Sequence, residues 1–362
     1  MKVKLYIYHW LFFPLLAILL AGSATSCIND PVMEEEDDNT GHTYLTITTR
    51  GINVKDNGDF ENYVGKLRVM AFDSQGNIVS GVNFRIDDLS NYEVQRSGDD
   101  TYITVETEIL GGKMTSGTYS FYFVANETEY STDNNETLSS VLANVATEEA
   151  LKNIKVKTAF NVNERKPKAP NMLMSVGPLK VLIREGENNE IGNANNRIEL
   201  IRAFAKAQLL LKVESGVTEP TSPEVSLSVS APDSFYLLPG KEDKITPITT
   251  LSYTTILGGS QPMNTELTAS DYFYISDVVY LPERYLSPNT QENALQYQIT
   301  LDGNDYRAPI ADNTTGTPDY NIKRNYAYTT IGTYAPASET TVALEWQVTQ
   351  YTPVNVDVPS FD

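Results

Sequence analysis

The 362-residue chain contains one cysteine, Cys27, so no intrachain disulfide can form. Its only histidines are His9 and His42, which leaves a Ser/His/Asp triad or a histidine-rich metal site almost nothing to work with. Basic residues are few, 27 Lys+Arg against 47 Asp+Glu, and the formal net charge is −20. Such a surface repels phosphate backbones, which argues against nucleic acid as a partner. No apolar run after residue 20 is long enough for a transmembrane helix. No segment matches the twelve-residue calcium loop, and acidic pairs such as Asp87/Asp88 and Asp99/Asp100 read as solvated turns. Gly111-Gly112 and Gly258-Gly259 lack the strand–glycine–helix layout of a phosphate loop. No carboxylate pair is singled out for glycosidase chemistry. The reading is therefore of a non-enzyme with no catalytic residue, cofactor or metal.

What the chain does have begins with an address. Lys2 and Lys4 precede an apolar run from Leu11 to Leu20, broken only by Pro14, and small residues lead to Cys27. Residues 1–27 thus read as a lipoprotein signal ending at a lipidated Cys27, although Ala24 stands where Leu is usual. Cleavage there would remove Lys2 and Lys4 and take the net charge from −20 to −22. Residues 28–42 form an acidic tether, and its run Glu34–Asp38 resembles the surface-export signal of Bacteroidetes lipoproteins.

Twenty-two tyrosines, with recurrent Thr, Val and Asn, favour strands and turns. Alternation predicts strands at 44–50, 63–72, 78–86, 101–109, 118–125 and 179–183, with one helical region at 137–154. A long apolar strand opens at Arg197 and runs to Val213, after the polar, Asn-rich stretch 185–196. Further strands are predicted at 225–230, 234–238, 272–280, 296–301, 322–334 and 340–350, with 302–320 as a loop. Many strands and little helix imply two antiparallel β-sandwiches, 43–195 and 196–362. Phe121, Tyr122 and Phe123 are candidates either for a ligand cleft or for sandwich core, and Asn126-Glu-Thr128 fits the N-glycosylation pattern.

Several segments, taken in order, resemble the Bacteroidales fimbrillin family, the subunits of type V pili. They are a lipoprotein signal, a first strand ending at Arg50, and Lys66–Asp73 with its Gln75–Asn77 turn. Tyr119–Asn126, Asn171–Gly177, Arg202–Lys206 and Lys323–Tyr326 follow. The resemblance implies two transthyretin-like sandwiches in tandem and polymerisation by strand exchange. In that scheme the first strand, Tyr44–Thr49, fills a groove in the N-terminal sandwich until a trypsin-like protease cuts after Arg50 or Lys55. The uncovered edge is then refilled by the next subunit's C-terminal strand, head to tail.

The tail fits a donor role, because Val354, Val356 and Val358 alternate with Asn355 and Asp357. Its other reading is a last strand of the second sandwich. Tyr351 takes the place of the family's usual Trp, and Trp346 lies earlier. The implied role is a fimbrial subunit at the outer membrane and cell surface, partnered by other subunits and by the processing protease. Shaft, anchor and tip roles all remain open. A surface glycan-binding lipoprotein is the alternative from another class.

Overall fold

The segment Phe204–Val213 shows how the sequence builds this molecule. Successive side chains of a strand point to opposite faces. Ala205, Ala207, Leu209 and Leu211 enter one apolar cluster, while Leu210, between them, enters another with Ile275 and Ile331. A strand buried on both faces reads as a continuous apolar run, as this one does.

A computed structural model describes residues 44–50, 60–87, 95–97, 100–106, 114–157, 160–161, 166–167, 171–191, 198–228, 234–242, 244–245, 253–335 and 343–350. The first half contains β1 (Tyr44–Arg50), β2 (Leu67–Phe72), β3 (Ile78–Ile86), β4 (Gln95–Ser97), β5 (Asp100–Glu106) and β6 (Gly117–Ala125). Two short helices follow, α1 (Leu138–Ala143) and α2 (Glu148–Lys152). Next come β7 (Lys155–Lys157), β8 (Phe160–Asn161), β9 (Lys166–Pro167), β10 (Met174–Ile183) and β11 (Asn188–Ile191). The second half contains β12 (Ile201–Arg202), β13 (Phe204–Val213), β14 (Glu224–Ser228), β15 (Ser234–Tyr236), β16 (Lys244–Ile245) and β17 (Tyr253–Thr255). It ends with β18 (Tyr274–Ile275), β19 (Val279–Pro282), β20 (Tyr285–Leu286), β21 (Gln296–Leu301), β22 (Asn304–Pro309), β23 (Tyr326–Tyr334) and β24 (Ala343–Gln350).

The first-half sheets have the orders β11-β1-β5-β4 and β12-β10-β6-β2-β3. The second-half sheets are β18-β13-β23-β24, with β19 also on β13, and β17-β14-β21-β22. Most pairings are antiparallel, as expected of a β-sandwich. Three long-range ones, β1–β11, β13–β23 and the short β16–β20, are parallel. All join strands far apart in sequence, where no hairpin dictates the direction.

One core gathers Val69, Phe121, Phe123, Leu138 and Leu151. The other gathers Leu209, Leu227, Tyr297 and Ile299 from its two sheets. The predicted strand 197–213 is broken at Ala203, whose N–H bonds Leu173 O at 2.9 Å. Ile198, Ala203 and Phe204 belong to the first core, and Ala205 opens the second. Phe235, Leu237 and Leu238 then return to the first core, so a second-half segment helps to complete it.

Three other expectations change in detail. The helical region 137–154 is two helices, because Thr137 and Thr147 each cap a separate N-terminus by accepting the N–H of Ser140 and Ala150. The loop 302–320 contains β22, which forms a hairpin with β21 across Asp302-Gly303, both at positive φ. The polar stretch 185–196 contains β11.

Candidate functional site: the first-strand slot and its supports

β1 is an interior strand. On one side Tyr44 through Arg50 pair antiparallel with Glu106 through Asp100. On the other, Tyr44 through Ile47 pair parallel with Asn188 through Ile191. Leu45 and Ile47 therefore share register with Asn189 and Ile191, the buried positions of β11. Adjacent strands lie about 4.8 Å apart, so without β1 the flanking strands β5 and β11 would stand almost 10 Å apart, each with an unpaired edge.

β11 is placed by an amide. Asn189 Oδ1 accepts from Arg184 N at 2.7 Å, and its Nδ2 donates to Arg184 O and Glu187 O at 2.9 and 2.8 Å. Sequence reasoning missed this strand because its inward residues are Asn189 and Ile191, and an inward asparagine hides the alternation.

Residues 60–65, which follow the slot strand and its loop, are held from several directions. Asn126 Nδ2 donates to Tyr63 O at 2.7 Å and Met172 O at 2.9 Å, while its Oδ1 accepts from Gly65 N at 3.1 Å. Asn126 adopts φ 61°, a left-handed conformation that asparagine tolerates. Its side chain is thus buried and fully engaged, which rules against the glycosylation reading of Asn126-Glu-Thr128 in the folded chain. Arg202 donates to Glu61 O at 2.8 Å, to Asn325 Oδ1 at 3.2 Å and to Asn62 Oδ1. Lys206 Nζ lies 3.1 Å from Glu61 Oε2, and Tyr280 OH donates to Glu61 Oε1 at 2.7 Å. Burial lowers the Lys206 ammonium pKa, and the Glu61 carboxylate partly opposes that shift.

A second polar cluster joins the two halves. Arg324 Nε donates to Glu283 Oε2 at 2.6 Å, and its NH2 reaches Glu283 Oε1. Arg324 also donates to Leu237 O at 2.9 Å and to Tyr236 O, and its guanidinium lies 5.6 Å from the Phe235 ring centroid. Ser175 Oγ donates to the same Leu237 O at 2.7 Å. Burial raises the Glu283 carboxyl pKa against the pull of Arg324. Nearer the first core, Arg68 makes a two-pronged contact with buried Glu127 at 2.8 and 2.7 Å.

These clusters account for the sequence segments singled out above. Arg68, Asn126, Ser175, Arg202, Lys206, Arg324 and Asn325 come from five of those segments, and each holds a distant part of the chain in place. Phe121, Tyr122 and Phe123 are fully buried core, so they line no open cleft. Gly258 and Gly259 lie against Ile275 and Ser276, where a Cβ on Gly259 would come within 2.8 Å of Ser276 O. Asp87 pairs with Arg85 at 2.6 Å. Among the described residues no group of three or more potential metal ligands occurs.

Of the residues named from sequence, Arg50 closes β1 opposite Asp100, within the sheet rather than in the loop after it. Trp346 lies in β24 opposite Thr330. Cys27, Lys55, Val354, Val356 and Val358 lie outside the described residues.

The architecture defines a β-sandwich protein whose first strand is inserted between two others. The chain belongs to the Bacteroidales fimbrillins: the family model described as major fimbrial subunit protein (FimA) matches residues 43–228, just over half of its length. It is thus a fimbrial subunit with a structural and adhesive role, belongs to a cell-surface fimbrium and assembles with other fimbrial subunits. No curated protein sequence matches the chain.

Among solved structures, the C-terminally truncated tip fimbrial protein Mfa3 from Porphyromonas gingivalis aligns with a TM-score of 0.54 at 16% identity, over 85% of this chain and 99% of that one. A candidate cell adhesion protein from Parabacteroides distasonis aligns at 0.53 and 14% identity, over 86% of this chain and 100% of its own. Another from the same organism aligns at 0.51 and 14%, over 88% and 99%. At these identities the likeness is one of fold.

Proposed function

We propose that this chain is a shaft subunit delivered to the outer membrane by a lipid on Cys27 and polymerised by protease-triggered strand exchange. The single observation that carries this reading is the contrast across the loop. β1 is hydrogen-bonded on both sides as an insert, while residues 60–65 are pinned independently by Asn126, Arg202, Lys206 and Tyr280. A cut after Arg50 or Lys55 would free the insert and leave the new N-terminal segment fastened from Phe60 onward.

Arg50 sits in the ladder, and a protease binds its substrate as an extended strand free of other pairing. Cleavage after Arg50 therefore requires the strand end to peel from Asp100. Lys55 stands five residues farther along. In the emptied slot, Val354 and Val356 of the next subunit would take the register of Leu45 and Ile47, and Val358 that of Thr49.

The test is limited trypsin digestion of the full chain followed by electrophoresis without boiling. A ladder that forms after cleavage, and is absent from the Arg50→Ala/Lys55→Ala double variant, supports the shaft role. Cleavage without a ladder sinks the exchange mechanism. Filaments that keep the lipidated N-terminus would make this copy an anchor.

A further inference from the structure

β24 ends at Gln350, and residues 351–362 follow it. Within them Pro353 and Pro359 flank Val354–Val358, where Asn355 and Asp357 separate the valines. The slot filled by β1 has residue levels of its own. Tyr44 stands between Glu106 and Asn188, and Thr46 between Thr104 and Glu190. Thr48, opposite Tyr102, and Arg50, opposite Asp100, lie past the end of β11. On β11, Asn188 and Glu190 are exposed, while Asn189 and Ile191 are buried. Arg50 is the one charged residue of β1. Its departure with the strand leaves Glu106, Glu190 and Asp100 along the slot without that cation.

A strand entering this slot has to bring valine to the levels of Leu45 and Ile47, which share register with buried Asn189 and Ile191. Two alignments in each direction do so. Proline lacks the N–H that a ladder uses, so it is tolerated at the ends of a paired strand and not within it. Both alignments with Val356 at the Leu45 level bring a proline to the Thr48 level, inside the ladder. The other two bring Pro353 and Pro359 to the end levels of Tyr44 and Arg50, and they differ only in direction. Running with β1, Val354 meets the Leu45 level, Asn355 falls beside Glu190 and Asp357 opposite Tyr102. Running against β1, Val358 meets the Leu45 level and Asp357 falls beside Glu190. Like charges directly opposite on neighbouring strands are destabilising, whereas diagonal neighbours are about 7–8 Å apart. An asparagine beside a carboxylate can instead donate to it.

We propose that Glu190 is the residue that orients the donor: it makes the tail of a second copy enter in the direction of β1, with Asn355 beside it. The prolines frame the inserted segment, the valines fill the inner levels, and the charge at Glu190 decides between the two directions that remain. The same charge disfavours any donor tail that would bring an acidic residue to the Thr46 level. This inference rests on the strand-exchange reading and adds to it a determinant of which tails the slot accepts and which way they run.

Engineered cysteine pairs in the full chain, cleaved with trypsin and then oxidised, read the direction. Cleavage removes Cys27, so each pair holds the only thiols. Asn355→Cys with Thr104→Cys should turn the ladder into one that survives boiling without reductant. Asn355→Cys with Tyr102→Cys should do so roughly fivefold less, the preference expected from one directly opposed pair of like charges. The two pairs lie two levels apart, so they share one ladder geometry. Glu190→Gln, at an exposed position, should remove the preference, and Glu190→Lys should reverse it. Raising salt from about 50 to about 500 mM should shrink it with Glu190 in place. Cross-linking mainly through Tyr102→Cys with Glu190 intact, or the same preference in Glu190→Lys as in the native slot, overturns the proposal and leaves strand exchange standing. Absence of any ladder from the cleaved wild-type chain sinks strand exchange and the proposal with it.

Discussion

Replacing Arg324 with Ala should be among the most damaging single changes available in this chain. The guanidinium and the Glu283 carboxylate are only 5% and 6% exposed. Truncation strands a buried carboxylate, which costs about 3–5 kcal/mol. It also leaves Tyr236 O with one partner fewer and Leu237 O with Ser175 Oγ alone from this cluster. The overall loss should be about 4 kcal/mol, because these costs overlap. The double variant Arg324→Met/Glu283→Leu should recover most of the ion-pair part and sit within about 2 kcal/mol of wild type, since apolar replacement of a buried pair is often nearly neutral.

Urea unfolding followed in parallel by far-UV circular dichroism and by tryptophan fluorescence measures this. Trp346 in β24 reports on the second half, and the other tryptophan, Trp10, belongs to the segment whose sequence reads as a signal. The two signals should coincide in wild type and separate in Arg324→Ala, because Arg324 ties the second half to the segment that completes the first core. The pH dependence has a definite sign. Burial raises the Glu283 carboxyl, and without Arg324 it should rise further. A raised acid pKa favours the folded state fully below the unfolded value, and that contribution is lost as pH climbs through the folded value. The deficit of Arg324→Ala should therefore shrink at pH 5 and grow toward pH 8. A loss under about 1 kcal/mol, or a double variant as unstable as the two single losses added together, would refute the reasoning.

Asn126→Ala should cost about 2–4 kcal/mol in thermal or urea unfolding, through orphaned carbonyls and left-handed strain. Asn126→Gly should cost about 1 kcal/mol less, because it relieves the strain alone. In both variants the amides of residues 63–66 should lose protection in hydrogen exchange. Gly177→Ala should cost more than about 3 kcal/mol: Gly177 has φ 137°, and a Cβ there would fall 2.5 Å from the Tyr122 ring and 2.8 Å from Phe121 O. Acid should weaken the fold through Asp319 and Glu148. Burial alone would raise both, but hydrogen bonds led by Lys323 for Asp319 and by Tyr122 for Glu148 leave them below their ordinary values of 3.8 and 4.5. Their contribution is complete above those values and is lost as pH falls through the lower folded ones, so Asp319→Asn/Glu148→Gln should flatten the melting-temperature profile below about pH 4.

The strands that were legible in the sequence are those whose two faces differ, or those buried on both. Ile78–Ile86 and Tyr44–Arg50 have the predicted bounds because apolar and β-branched residues alternate along them. The first strand after the loop begins at Leu67 rather than Tyr63, because Tyr63 O and Gly65 N are engaged by Asn126 instead of a ladder. β11 and β22 escaped notice for a shared reason. Asn189, Asp305 and Arg307 break the apolar rhythm, and such strands exist because a neighbour supplies their hydrogen bonds. The Arg202 and Arg324 segments were recognisable as motifs, but nothing in the chain said which distant carbonyls and carboxylates they hold.

The sequence by itself determined the β class, the acidic surface and the family pattern, because composition, alternation and motif order are local properties that survive without a partner. Only the tertiary structure decided that the first strand runs between β5 and β11, parallel to one and antiparallel to the other. It alone decided that Phe235–Leu238 crosses back to close the first core, and that Lys155 and Lys241 meet at the Tyr236 ring. Each of these depends on groups far apart in the chain being brought within a few ångströms, and no local pattern encodes that distance.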